Sequence, residues 1–199
     1  MSLTNLQIIQ LANRMGTPLE RVCFKNQLCD EKLVYNKGYI INMQDDKSSD
    51  GRLNQGSHYV ALYVRKCING EIQPIYFDSF GEPPPTNIIE FIKSPHNFLP
   101  YSKKDIQSIC GEMCGWYCMA FLYFLSSKDF KHRTNCLYTD AENFTDLFND
   151  LNISNDWKHN EFVLKQFFRS KDLSQNTQTD IGGKIADISS ISNHPKGPI

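Results

Sequence analysis

Long apolar runs are missing from this chain. The longest, WYCMAFLYFL (116–125), covers about half of the ~20 residues that a membrane-spanning helix needs, so the chain is expected to be soluble, with no membrane partner. The opening residues, MSLTNLQIIQLANRMG, have neither a basic lead nor an unbroken apolar segment, so no secretory signal is expected. An excess of one charge is missing as well. Lys and Arg total 21 against 22 Asp and Glu, and the net charge of −1 gives no global attraction to nucleic acid. Long charge blocks and internal repeats are also absent. Cysteine, by contrast, is plentiful: the seven (Cys23, Cys29, Cys67, Cys110, Cys114, Cys118 and Cys136) are an odd number without a short secreted framework. Free thiols in a reducing, non-secreted setting are therefore expected.

What is present suits one domain of ordinary globular composition, 40% apolar in 199 residues. Residues 5–15 carry an apolar stripe at Ile8, Leu11, Ala12 and Met15, with Thr4 as N-cap and Gly16 as stop, which predicts a helix. KLVYNKGYIINM (32–43) is strand-like, and the polar loop QDDKSSDGRLNQG (44–56) follows it. HYVALYVRK and IQPIYFDSF predict two strands joined through Asn69-Gly70, a hairpin signal. After the break at EPPPT come a short helix in NIIEFIKS and a third strand over 100–108. From Cys114 to about Ser127 the chain is apolar on every side, which predicts a helix buried mid-domain. Two amphipathic helices follow, one with Phe144, Leu147, Phe148 and Leu151, the other with Trp157, Leu164, Phe167 and Phe168. The domain is expected to end at 169; residues 170–199, rich in Ser, Asn, Asp and Gly, read as a tail or surface strap.

Four side chains beside these core segments could carry chemistry. A cysteine nucleophile needs a base, an orienting group behind the base and donors for the oxyanion. His58, at a strand start, is the candidate base. Asp78 ends the next strand of the hairpin, which puts both on one sheet edge. Cys114 opens the buried helix, where the helix's positive end and unpaired amides favour a thiolate. Its own N–H and the side chain of Gln107 are the candidate oxyanion donors. Each residue alone has a blander reading: a structural histidine, a turn aspartate, a small core cysteine. The spacing Cys110, Cys114, Cys118 also suggests metal, but on a helix it drifts around the axis and lacks paired C-x2-C knuckles, so no metal or other cofactor is expected.

Taken jointly, GSHYVALYV, YFDSFG and Q-x6-CGWYCMAFL resemble the adenain-like cysteine proteases. That family includes the adenovirus maturation protease, the SUMO-protein proteases and the capsid-maturation proteases of virophages, Maverick/Polinton elements and large DNA viruses. Its order of His, then Asp or Glu, then Gln, then Cys-Gly falls on His58, Asp78, Gln107 and Cys114-Gly115. Tyr59 matches the aromatic after the family's histidine, and residues 77–81 match its aromatic–acid–x–aromatic–Gly pattern. The resemblance spans roughly residues 4–127 and leans to the viral side.

The resemblance implies an α+β, papain-like or adenain-like fold: a central mixed sheet packed by helices, with a buried helix starting at the nucleophile. It implies a monomeric cysteine endopeptidase that cleaves capsid or core precursor proteins after small residues, in the virion and host-cell cytoplasm. An activating peptide or DNA is a further partner the family suggests, although the net charge of −1 speaks against DNA. A protease of ubiquitin-like modifiers and a non-catalytic virion protein keeping the fold are the alternatives. Gly182-Gly183 in the tail suggests self-cleavage after Gly183, against the plainer reading of a flexible linker.

Overall fold

The structure, a computed structural model, describes residues 2–28, 32–93, 99–127 and 134–176, the stretch 170–176 as backbone only. Helix α1 (Asn5–Met15) starts where the sequence places it. The Thr4 hydroxyl accepts the Gln7 N–H while the Gln7 side chain accepts the Thr4 N–H, a reciprocal cap. Gly16 closes the helix at φ +65°, a conformation that favours glycine.

Strands β1 (Leu19–Phe24), β2 (Lys37–Asn42), β3 (Tyr59–Lys66) and β4 (Ile72–Phe77) form one sheet in that order. β1 runs parallel to β2, and the other two pairings are antiparallel. The remaining helices are α2 (Thr86–Ile92), α3 (Cys114–Ser126), α4 (Leu137–Thr145) and α5 (Trp157–Asn176). The fold is thus α+β, a four-stranded mixed sheet packed by helices.

Helices and loops cover both faces of the sheet, which is why β3 is apolar at nearly every position. One face, with Ile40, Ala61, Tyr63, Ile75 and Phe77, packs on α1, α3, α4 and α5. The other, with Tyr39, Ile41, Val60, Leu62 and Tyr76, packs on Ile88 of α2 and on Leu99. α3 lies at the centre of the first layer and is buried on nearly all sides, as its unbroken apolar sequence requires. Phe121 of α3 stacks on Phe77 of β4 at 4.4 Å between ring centres, and Phe144 of α4 meets both edge-on. Gly38 is the point of close approach between β2 and α3. A Cβ there would stand 2.6 Å from the Leu122 side chain. Among the described residues no helix is long and apolar enough to cross a membrane.

Four elements differ from the sequence-based expectation. β1 was not expected. Residues 100–108 form no strand: a single bridge joins Tyr101 to Tyr76, and beyond it the N–H groups of Ile106 and Gln107 both turn to the carbonyl of Ser79. Two successive donors on one acceptor break the alternation of a regular ladder. α4 ends at Thr145, so Leu147 and Phe148 pack from the turns that follow it, and Leu151 lies beyond the helix. α5 runs through Asn176, past the expected domain end at 169. Gly183 lies outside the described residues.

Candidate active site

The antiparallel β3–β4 pair decides where two of the four candidate residues meet. His58 directly precedes β3 and Asp78 directly follows β4, and the register pairs Ala61 with Phe77. Both therefore fall at the same end of the sheet, and His58 Nε2 lies 2.9 Å from Asp78 Oδ1. Asp78 is itself held. Its Oδ1 also accepts the Phe80 N–H at 2.8 Å, and the Tyr76 hydroxyl lies 3.5 Å from Oδ2. The Phe80 ring packs against the imidazole, 4.7 Å between centres, and limits its rotation.

The chain entering His58 is anchored from β2. The Asn42 side chain accepts the N–H groups of Gln44 and Ser57, and the Gln44 side chain accepts that of Gly56. Gly56 has φ +96°, and a Cβ on it would stand 2.2 Å from the Asn42 amide nitrogen, so only glycine fits.

Cys114 is the first residue of α3, so its own N–H has no acceptor within the helix. Its side chain is within hydrogen-bonding reach of His58. With Nε2 on Asp78, Nδ1 is the ring nitrogen left for the sulfur. Burial raises the thiol's proton affinity, but hydrogen bonds from His58 and from the Tyr59 and Gly115 N–H groups, with the imidazole's charge, outweigh it and hold the thiol below its usual value. For His58, burial disfavours the charged ring. The bonds to Asp78 and Cys114 and the negative charges of both prevail, and its pKa is pushed up to about 9. Both shifts run in the direction that favours a thiolate beside an imidazolium. Cys118, one helical turn on, behaves oppositely. It is fully buried, its sulfur faces the Tyr59 carbonyl at 3.3 Å, and its thiol is pushed well up.

Gln107 reaches the same place from the irregular segment before α3. It is buried, and one of its amide N–H bonds goes to the Gly111 carbonyl at 2.8 Å. His58, Phe80, Gln107, Gly111 and Cys114 line one cleft of about 530 Å³, with Ser57 at its rim. A larger hollow of about 690 Å³ lies by the β3–β4 turn and is lined by none of the four candidates. It has volume without the chemistry.

No protein-family model matches the chain, and no curated protein matches it either.

Of the four residues singled out in the sequence, His58, Gln107 and Cys114 thus line one cleft, and Asp78 is hydrogen-bonded to His58. Three contributors were not foreseen: the Tyr59 and Gly115 amides that face the sulfur, and the Ser79 hydroxyl, which donates to Gln107 Oε1 at 2.9 Å. The backbone donors leave no trace in residue type. Ser79 lies inside the YFDSFG motif, but a serine after an aspartate reads equally well as turn chemistry. Among the described residues no group of three or more His, Cys, Asp or Glu side chains is placed to hold a metal ion.

Proposed function

We propose that this chain is a cysteine endopeptidase of the adenain-like class, acting through a thioester. The observation that carries the proposal is the single imidazole of His58 shared between Asp78 and Cys114, with Gln107 in the same cleft. In this reaction the Cys114 thiolate attacks the carbonyl carbon of the scissile peptide bond. The Cys114 N–H and the second N–H of the Gln107 amide receive the developing oxyanion, and the His58 imidazolium gives its proton to the leaving amine. Water, deprotonated by His58, then cleaves the thioester, and Asp78 holds the ring in the orientation and tautomer both steps need.

The motif order shared with the adenain-like proteases favours capsid or core precursor proteins as substrates, cut after small residues. The same resemblance favours the virion and the infected cell's cytoplasm as the place of action, and the adenain-like form of the α+β fold.

An electrophilic peptide ending in a small residue should label the native protein at Cys114, located by peptide mapping. Cys114→Ala should lose all cleavage and unfold at the wild-type temperature; cleavage retained in that variant discards the assignment. Gln107→Ala should lower kcat by roughly 10²–10³-fold, the usual loss of one oxyanion donor. Comparing precursor-derived peptides with conjugates of ubiquitin-like modifiers distinguishes the two substrate classes.

A further inference from the structure

Gln107 can stabilise an oxyanion only if its amide turns nitrogen toward the cleft and oxygen away from it. The two ends of an amide have nearly the same shape, so packing alone does not choose between them. Hydrogen bonds choose. Oε1 accepts the Ser79 hydroxyl at 2.9 Å, and Nε2 donates to the Gly111 carbonyl at 2.8 Å. One N–H remains, and Gln107 lines the cleft that holds Cys114. A half-turn of the amide would face oxygen with oxygen at Gly111, and the Ser79 hydroxyl, which can donate or accept, would have to turn its proton away.

Resting on the protease reading, we infer that Ser79 is a positioning residue: its hydroxyl tethers the Gln107 amide in the orientation that the Gly111 carbonyl selects, and so holds the direction of the oxyanion donor. Ser79 is fully buried, so water does not readily replace its hydroxyl. Its backbone holds the segment independently, since the Ser79 carbonyl accepts the Ile106 and Gln107 N–H groups at 2.8 and 3.1 Å. Removing the hydroxyl therefore unlocks the amide while the main-chain tether stays. The Asn160 side chain on α5 tightens the same segment by donating to the Ile106 carbonyl at 3.0 Å, but it leaves the amide's orientation to Ser79 and Gly111.

The test is a cycle of wild type, Ser79→Ala, Gln107→Ala and the double variant, with kcat and KM measured on one peptide and the rate of Cys114 alkylation by iodoacetamide measured alongside. Ser79→Ala should lower kcat roughly tenfold, the worth of about one hydrogen bond, with KM and alkylation unchanged. In the Gln107→Ala background it should lower kcat no further. An equal loss in both backgrounds, or a slowed alkylation, means that Ser79 acts through the fold or the Cys–His pair and overturns the inference. If Ser79→Ala does not fold, Ser79→Cys keeps the volume with a weak donor and should show the same pattern across the cycle. A wild-type chain that turns over no peptide overturns both readings. Turnover that Ser79→Ala leaves intact overturns this one alone.

Discussion

At the scale of single residues, His58 is held between two partners that both favour its charged form. Asp78 contributes a hydrogen bond and a negative charge, and the Cys114 sulfur contributes the same from the other side, against the cost of burial. The pH dependence follows with a definite sign. In the proposed reaction the working pair is thiolate and imidazolium, so kcat/KM should rise through the lowered thiol pKa and fall through the raised imidazole pKa, with its alkaline limb near pH 9. Asp78→Asn removes the charge that favours the protonated ring, and the alkaline limb should move to lower pH. A limb that stays in place in that variant excludes Asp78 as the group holding the imidazolium.

At the scale of elements, the turn from Asp78 to Gly81 joins the strand that carries the acid to the segment that carries the amide. Gly81 has φ +73°, and a Cβ on it would stand 2.5 Å from the Lys103 carbonyl oxygen. That neighbour is backbone and cannot swing aside. Gly70 has a similar φ of +84° with nothing within 4 Å, so Gly70→Ala bears only the left-handed strain, about 1–2 kcal/mol. Gly81→Ala should exceed it by about 1–3 kcal/mol, the usual cost of overfilling a packed site, and should also lower kcat by shifting residues 103–107. Urea unfolding of the two variants checks this, and equal losses of stability would show that the close approach has no consequence.

Much of this arrangement is legible in residue types. The N-cap at Thr4, the hairpin turn at Asn69-Gly70 and the all-round apolar α3 depend on neighbours within a few positions, and each forms where expected. β1 escaped because LERVCF is an edge strand with charged Glu20 and Arg21 and one fully buried residue, Cys23, so its apolar alternation is weak. The 100–108 segment failed for a different reason. Ile106 faces the core, as a strand residue does, but the N–H groups of Ile106 and Gln107 are taken by one distant carbonyl that no local pattern encodes. His58, Asp78, Gln107 and Cys114 stood out through their order along the chain, whereas the donors around the sulfur are main-chain atoms that every sequence possesses.

At the scale of the whole molecule, the cleft is supported from far along the chain. Asn160 of α5, fully buried, donates to the carbonyls of Ile106 and Asn149 and accepts the Asn149 N–H, and the Leu151 N–H bonds the Asp105 carbonyl. Asn160→Ala would strand these groups without partners in the interior. It should lower the unfolding free energy by about 2–3 kcal/mol and reduce kcat as the segment before Gln107 loosens. Urea unfolding and peptide turnover on the same preparation test this; full turnover in a destabilised variant would separate α5 from the cleft.

The position of α3 has a consequence for when, during synthesis, the surroundings of Cys114 form. Its flanks are β2, β3, α1, α4 and α5, so the pieces that shape the nucleophile's surroundings are translated both well before and well after it. A nascent polypeptide that ends soon after Cys114 carries an ordinary, weakly reactive sulfhydryl. On the protease reading proposed above, reactivity at Cys114 then arises only after α4 and α5 have been made.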